Sequence, residues 1–162
     1  RQALNACGAA SWDEVVFQAE DSAIPHILDE LDCDGIEEIN ELAQAIQYRA
    51  GRSELTKLKA VLHASDCHSI HAATYIAENL DDYLYEPDQR TPEEVATEEL
   101  RFIVDDQYLS SLKKHVDLFY YGRDIIAEAN AMMTPYGLVQ RRDGEMLLSL
   151  DEHPSQGGMQ MQ

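Results

Sequence analysis

The sequence predicts a mainly α-helical protein of the α+β class. A small helical bundle is expected first, followed by an α/β carboxy-terminal domain with a short β-hairpin, in an elongated arrangement. Apolar residues recur at helical spacing in successive segments, and strong helix-start signals open several of them. Near the carboxyl end, two short runs flank Pro135-Tyr136-Gly137, a turn-forming tripeptide that predicts the hairpin. The 162 residues are 44% hydrophobic, which is enough to bury a core.

Four parts are expected along the chain. The first is interpreted as a remnant or shortened amino-terminal α+β domain, because Gln2–Cys7 is typical of a short helix and Glu14–Glu20 of a strand. Ser11 with Glu14 could instead form a helix capping box. The last part is rich in Gly, Ser and Gln, which indicates a disordered tail. The expected parts are the amino-terminal domain 1–33, a helical domain 34–82, a carboxy-terminal α+β domain 83–146 and the tail 147–162.

The helical domain is predicted to contain three short antiparallel helices. The first begins after Asp34 as its cap, and Gly51 ends it. Ser53 is expected to cap the second helix, which runs to Ala64, and Ser69 opens the third. The residues expected to face inward are Ile36, Ile39, Leu42, Ala43 and Ile46 of the first helix, Leu55, Leu58, Val61 and Leu62 of the second, and Ile70, Ala73, Ile76, Ala77 and Leu80 of the third.

A tyrosine-rich link containing Tyr83 and Tyr85 is expected to lead into the carboxy-terminal domain. Thr91-Pro92-Glu93-Glu94 is a strong helix start, with Thr as the cap, Pro at the first position and Glu at the third. That helix should run toward Asp106 and bury Val95, Leu100, Ile103 and Val104. Beyond it we expect a short helix at Leu109–His115, an aromatic stretch at Leu118–Gly122, and hairpin strands at Ala131–Thr134 and Leu138–Arg142.

Charge is concentrated in two blocks. The chain carries 12 Lys plus Arg against 31 Asp plus Glu, a formal net charge of −19. Eleven acids and no Lys or Arg lie within Gln2–Tyr48, and eleven more lie within Glu78–Asp106 against only Arg90 and Arg101. Acidic runs are usually solvated faces that aid solubility, but that need would spread acids evenly, so the two blocks favour a surface that meets a partner.

The sign of the charge restricts the class of partner. A strongly acidic chain repels nucleic acid and anionic membranes, so basic protein surfaces are the expected partners. At one charge per about 1.7 Å of duplex, the net charge of −19 matches about 32 Å of DNA, the scale of a DNA-binding groove. No apolar run approaches the roughly 20 residues of a membrane helix, and no signal-peptide pattern is present. The widely spaced Cys7, Cys33 and Cys67 argue against a secreted disulfide framework, so we expect a cytoplasmic protein.

Catalytic signatures are lacking, since there is no phosphate-binding Gly-rich loop, nucleophile elbow or HExxH motif. One local pattern suggests calcium binding: Glu30–Gly35, followed by Glu41, has the spacing of oxygen ligands, turn glycine and final Glu of an EF-hand loop. The first position of this loop is Glu rather than Asp. The eighth, normally aliphatic, is Glu37. Both departures weigh against calcium.

A second pattern suggests a transition metal. His63, Cys67, His68 and His71 have spacings that could hold one if the segment stayed helical. Ser65-Asp66 is expected to break the helix there. A polar turn between helices is therefore the favoured interpretation, and no metal is expected.

Three stretches carry a family resemblance: Ile36–Ile46 (IEEINELAQAI), Ile76–Pro87 (IAENLDDYLYEP) and Val116–Ile125 (VDLFYYGRDI). Within the last, Tyr121-Gly122-Arg123-Asp124 is the most specific part, and the hairpin at Tyr136-Gly137-Leu138 also corresponds. On these residues the chain resembles the ArdA antirestriction family, which is carried by conjugative elements and plasmids. The resemblance extends from about residue 14 to residue 144.

The resemblance implies a curved, mostly dimeric DNA mimic, not an enzyme. Such a protein inhibits type I restriction–modification enzymes by filling the DNA groove of their modification core, and it requires no cofactor. The rival hypotheses are an acidic interaction or regulatory domain of a mobile-element protein, and a calcium-binding module. The expected DNA-mimic surface consists of Asp29, Glu30, Asp32, Asp34, Glu37, Glu38, Glu41, Glu78, Asp81, Asp82, Glu86, Asp88, Glu93, Glu94, Glu98, Glu99, Asp105 and Asp106.

A homodimer is expected through the carboxy-terminal half. The net charge there is close to balance, and Phe119, Tyr120 and Tyr121 concentrate apolar area. Two bodies that each carry −19 repel one another, so their contact should avoid the acidic blocks.

Overall fold

The computed structural model describes residues 36–48 and 52–147. The expected helix at Gln2–Cys7, the expected strand at Glu14–Glu20, the Asp34 cap and residues 148–162 of the expected tail lie outside the described residues. The described elements are α1 (Ile36–Tyr48), α2 (Arg52–Ala64), α3 (Ile70–Glu78), a 3₁₀ turn (Leu80–Asp82), β1 (Tyr83–Glu86), α4 (Pro92–Ile103), α5 (Asp106–Leu112), α6 (Leu118–Glu128), β2 (Met132–Thr134) and β3 (Gly137–Arg141). The prediction of a mainly α protein with a small β component is confirmed.

The first three helices surround an apolar core. α3 packs against both α1 and α2. Ser69 caps α3 as predicted, because its hydroxyl accepts a hydrogen bond from the Ala72 N–H at 3.4 Å. α2 runs from Arg52, one residue before the predicted cap position Ser53. The fully buried side chains that the helical part contributes to this core include Leu58, Val61, Ile70, Ile76 and Leu80.

The buried stripe of α1 is rotated from the predicted one. Leu42 and Ala45 are buried, whereas Ala43 is exposed. Leu42 and Ala45 lie three positions apart and share a face, and Glu38, four residues before Leu42, joins that face. This phase explains why Glu38 is only half exposed and why the inward placement of Ala43 was wrong.

The three strands form an antiparallel sheet in the order β1-β3-β2. Tyr83 pairs with Arg141 and Glu86 with Leu138, so the tyrosine-rich link is a strand and not a connection. α2 contacts all three strands, and Tyr83 and Val139 belong to the same core as the helices. The bundle and the sheet therefore share one hydrophobic core.

The β2–β3 hairpin confirms the predicted turn. The buried Thr134 hydroxyl accepts hydrogen bonds from the Tyr136 and Gly137 N–H groups at 3.1 and 3.2 Å, and it donates one to the Gly137 carbonyl at 2.7 Å. Gly137 has φ +144°, which side chains rarely adopt, and a Cβ there would lie 2.4 Å from the Glu86 carbonyl oxygen. The turn therefore requires glycine.

α4 packs against α6 beside the sheet. The capping box predicted for Thr91 and Glu94 is present. Val95 and Leu100 are buried as expected, but Ile103 is 60% exposed because the last turn of α4 is only sparsely covered by the described elements.

Two predictions after α4 needed correction. The short helix runs from Asp106 to Leu112, with Asp105 at its cap position, and not over Leu109–His115. The aromatic stretch is the first turn of α6, which Asp117 caps by accepting a hydrogen bond from the Tyr120 N–H at 3.2 Å. Within the described ranges, no helix is both long and apolar enough to span a bilayer.

Candidate acidic docking surface

Fourteen of the acids expected on the mimic surface fall in the described ranges, and Asp29, Glu30, Asp32 and Asp34 fall outside them. The described acids are overwhelmingly on the surface, as the charge pattern indicates. Glu38 and Glu98 are the two that are half-buried. The exposed ones are Glu37, Glu41, Glu78, Asp81, Asp82, Glu86, Asp88, Glu93, Glu94, Glu99, Asp105 and Asp106.

Five of these acids meet around one surface groove of about 550 Å³, which we call the acidic groove. Glu86 ends β1, Asp88 lies in the following turn, and α4 supplies the other three. Positions 94, 98 and 101 recur at helical spacing, so they share the face of α4 opposite the buried Val95 and Ala96. The groove is lined by Glu86, Asp88, Gln89, Glu93, Glu94, Thr97, Glu98, Arg101 and Lys113.

Two carboxylates of the acidic groove are already engaged. Glu94 accepts hydrogen bonds from the backbone N–H groups of Arg90 and Thr91, at 2.7 and 3.0 Å from Oε2. Glu98 Oε2 accepts from Arg101 Nη1 at 2.7 Å. Glu94 thus belongs to the cap at the start of α4, and Glu98 pairs with Arg101 one turn along the same helix. The expected mimic surface includes Glu94 and Glu98 beside Glu93 and Glu99, and the structure shows that Glu94 and Glu98 have hydrogen-bond partners within the chain.

The remaining acids of the groove are available. The side chains of Glu86, Asp88 and Glu93 are exposed and make no hydrogen bond or ion pair with another residue of the described ranges. Glu99 is also exposed and lies beside the groove on α4. Carboxylates in this state can accept charge-assisted hydrogen bonds from Lys or Arg of a partner.

The acids of α1 also divide into one that contacts another helix and two that are exposed. Glu38 Oε1 lies 3.3 Å from His71 Nε2 on α3, and the Glu38 side chain is 23% exposed. Glu37 and Glu41 are exposed on the outer side of the helix. Glu38 thus links α1 to α3, whereas its two neighbours face solvent as predicted.

Arginine side chains at the end of β3 are held by internal contacts. Arg142 Nε donates to the Asp81 carbonyl at 3.0 Å, and the Arg142 N–H donates to the Asp82 carbonyl at 2.8 Å. Arg141 pairs with Asp143, and this hydrogen bond lowers the pKa of Asp143 and raises that of Arg141. The 3₁₀ turn that carries Asp81 and Asp82 is fastened to the sheet in this way.

The aromatic residues expected at a dimer contact lie on the first turn of α6. Tyr120 is 62% exposed and Phe119 is 43% exposed, while Tyr121 is half-buried. The Phe119 ring packs edge-on against Tyr120, with centroids 5.6 Å apart, and the Arg123 guanidinium lies 5.8 Å from the Phe119 centroid. Of these three residues, Tyr120 is therefore the best placed to reach a partner.

Sequence reasoning missed Phe102, which is 82% exposed at the end of α4. Position 102 lies seven residues after Val95, so the helical period places Phe102 on the same side of α4 as that buried residue and gives no signal of its exposure. A large exposed apolar side chain of this kind indicates a contact surface.

The two metal hypotheses have no support in the described ranges. There, no group of three or more His, Cys, Asp or Glu side chains is placed to hold a metal ion. Cys67 donates to the Ser69 carbonyl at 3.4 Å, and His68 lies 3.2 Å from Asp66. Asp66 has φ +46° in the turn that follows α2, in agreement with the expected helix break. The first half of the EF-hand-like loop lies outside the described residues, and the second half is helical from Ile36.

No protein-family model, curated protein or solved structure matches this chain. The described part of the molecule is a small α+β fold in which five of the acids line one surface groove. The resemblance to the ArdA family rests on the sequence stretches given above.

Proposed function

We propose that this chain is an antirestriction DNA mimic of the ArdA type. It inhibits type I restriction–modification enzymes by occupying the DNA-binding groove of their modification core. The observation that carries the proposal is the acidic groove, where, among the described residues, five carboxylates line the same concavity as the two basic residues Arg101 and Lys113. The net charge of −19 supports the same interpretation.

Binding works by replacement of phosphates. Lys and Arg that position DNA do so mainly through its backbone phosphates, which carry little sequence information. Exposed carboxylates offer the same charge-assisted acceptors, so Glu86, Asp88 and Glu93 take the place of phosphates in the target's groove. Glu94 supports them indirectly, because its carboxylate completes the capping box at the start of α4.

The partner is a protein, and neither nucleic acid nor membrane takes part. The chain acts stoichiometrically, without catalysis or a cofactor. It acts in the cytoplasm, where the restriction enzyme is found. A homodimer would double the length of duplex that the charge imitates. The competing hypothesis is an acidic interaction domain that binds a basic protein unrelated to DNA.

A capture experiment tests the proposal. The full chain, immobilised, is exposed to extract from cells that carry type I systems, and bound proteins are identified with and without added duplex DNA. We expect capture of the modification enzyme and its loss when duplex is added. Capture of another basic protein that duplex does not displace would favour the competing hypothesis.

Two triple variants sharpen this experiment. The groove triple variant, Glu86→Gln with Asp88→Asn and Glu93→Gln, neutralises the available acids of the acidic groove. The control triple variant, Asp66→Asn with Glu128→Gln and Glu145→Gln, removes the same charge from exposed positions away from that groove. The groove triple variant should capture much less enzyme, and the control triple variant should capture as much as the parent.

A further inference from the structure

A second concavity lies beside the acidic groove, between α4, α6 and the sheet. We call it the apolar cleft. It encloses about 190 Å³, and its floor and walls include Leu84, Val95, Phe102, Ile125, Ile126 and Leu138. This volume is below the roughly 300–1,000 Å³ typical of small-molecule pockets. It suits a single apolar side chain better than a cofactor.

The cleft and the groove are continuous. Glu86, Gln89 and Glu98 line both of them. Glu99 lies at the cleft as well, so the apolar floor has an acidic rim on the α4 side. A ligand in the groove can therefore extend into the cleft without leaving the surface.

Phe102 marks the cleft as a contact surface. Its side chain is 82% exposed although it lines an apolar concavity. Exposed aromatic area beside a concave apolar surface is typical of protein-binding sites. Phe102 would be covered if an apolar side chain from a partner entered the cleft.

We infer that the apolar cleft receives an apolar side chain that a basic protein partner carries next to its Lys and Arg residues. This inference rests on the proposed function, because it names a second contact of the same partner. Charge selects the occupant: the rim carboxylates Glu86 and Glu99 attract Lys and Arg. A second copy of this chain, with a net charge of −19, would instead bring acid against acid.

The cleft gives the protein a contact that DNA phosphates lack. Ionic contacts weaken with salt, because the Debye length falls from about 10 Å at 0.1 M to about 3 Å at 1 M. Burial of an apolar side chain is not screened in this way. An apolar anchor would therefore let the protein stay bound at ionic strengths where duplex DNA dissociates.

A peptide pair tests the cleft without any restriction enzyme. The first synthetic peptide carries one Leu between Lys and Arg flanks, and its twin has Ser in place of that Leu. Binding to the full chain is measured at 0.1 M and 1 M salt by fluorescence anisotropy, and methyl NMR follows Ile125 and Ile126. We expect the Leu peptide to bind about tenfold more tightly than its twin, to keep that preference at 1 M salt and to shift both methyl signals.

Two pairs of variants locate the contact. Ala129, at the cap position that ends α6, lines the cleft, whereas Ala127 on that helix is exposed and outside the cleft. Ala129→Phe should fill the cleft and abolish the preference for Leu, and Ala127→Phe should retain it. Phe102→Ala should weaken that preference, while Ile103→Ala, its exposed neighbour, should leave it unchanged.

Several outcomes would overturn the inference. Equal binding of the two peptides, or a Leu preference that survives Ala129→Phe, would show that no apolar side chain enters the cleft. A peptide with the same Leu but neutral flanks that binds as tightly as the basic one would show that charge does not select the occupant. Methyl shifts that follow protein concentration without peptide would assign the cleft to a second copy. Loss of the enzyme capture described above, with the peptide result intact, would contradict the proposed function alone.

Discussion

Gly122 packs directly against Pro92. A Cβ on Gly122 would lie 1.8 Å from the Pro92 carbonyl oxygen and 2.5 Å from its carbonyl carbon. α6 therefore meets the first turn of α4 backbone to backbone, and this contact sets the position of the helix that carries the acidic groove. The glycine belongs to Tyr121-Gly122-Arg123-Asp124, the most specific part of the family resemblance.

The contact between Gly122 and Pro92 can be tested by whether Gly122→Ala raises or lowers the free energy of unfolding. Helix propensity alone predicts that Gly122→Ala stabilises the chain by about 1 kcal/mol. The clash with Pro92 predicts a loss of about 1–3 kcal/mol instead, because a backbone atom cannot move aside cheaply. Urea unfolding measures the difference, with Ala127→Gly on the exposed side of the same helix as the control for propensity. A stabilised Gly122→Ala variant would show that the two helices are not in contact at this point.

Glu94 helps to cap the start of α4, a structural role that the neighbouring Glu93 lacks. Its carboxylate completes the capping box with Thr91, so Glu94→Ala should reduce the free energy of unfolding by about 1 kcal/mol. Glu94→Gln keeps the acceptor oxygen and should cost less. Glu93→Ala is the matched control, since its exposed side chain takes no part in the box. If Glu93→Ala and Glu94→Ala destabilise α4 equally in chemical denaturation, the capping role is wrong.

Stability should fall at alkaline pH because of Tyr83. Burial raises the pKa of the Tyr83 hydroxyl above its ordinary value of 10.0, with Arg141 opposing the shift. Because the unfolded chain loses this proton first, the folded state loses stability as pH rises from about 10 through the raised value. Tyr83→Phe removes the hydroxyl that causes this loss. The free energy of unfolding of the variant should therefore decline less between pH 9 and 11 than that of the parent chain.

The matched control for this pH series is Tyr108→Phe, because Tyr108 is exposed on α5. Its stability profile should follow the parent. The same flattening in Tyr108→Phe as in Tyr83→Phe would mean that burial of Tyr83 is not the cause.

The dimer hypothesis makes Tyr120 the critical aromatic residue. Tyr120→Ala should shift the chain toward monomer, and Phe119→Ala should do so less, because Phe119 packs against Tyr120 and Arg123 of its own helix. Added salt should favour association by screening the repulsion between two acidic bodies. Sedimentation velocity at micromolar concentration measures both effects, with Tyr108→Ala as the control. A parent chain that sediments only as monomer would contradict the hypothesis.

Local signals in the sequence predicted much of this fold. Ser69 and Thr91 begin their helices through hydrogen bonds to residues three positions away, so the pattern is visible in a few letters. The β1 strand was missed because Tyr83 pairs with Arg141, a partner far along the chain. The helix at Leu118–Glu128 was missed because its first turn is aromatic, and only the Asp117 cap and the packing of Gly122 reveal it.

The sequence predicted the charge of the candidate site, but not which of its acids have partners within the chain. The sequence placed the acids in blocks, and the described ones are mostly exposed, as expected. It could not separate Glu94 and Glu98 from Glu86, because engagement depends on which donors the fold brings near. Phe102 and the apolar cleft depend on how α4, α6 and the sheet meet, which no local pattern encodes.

Displacement of duplex DNA from a purified type I modification enzyme tests the central claim most directly. Fluorescent duplex is titrated off the enzyme by the parent chain, the groove triple variant and the control triple variant at two salt concentrations. We expect the parent to displace the duplex, with an apparent affinity that weakens as salt rises. Each single neutralisation should cost less than about fivefold, and the groove triple variant about tenfold to a hundredfold. The control triple variant should match the parent. Duplex that stays bound in the presence of excess parent protein would contradict the account, and so would equal losses from the two triple variants.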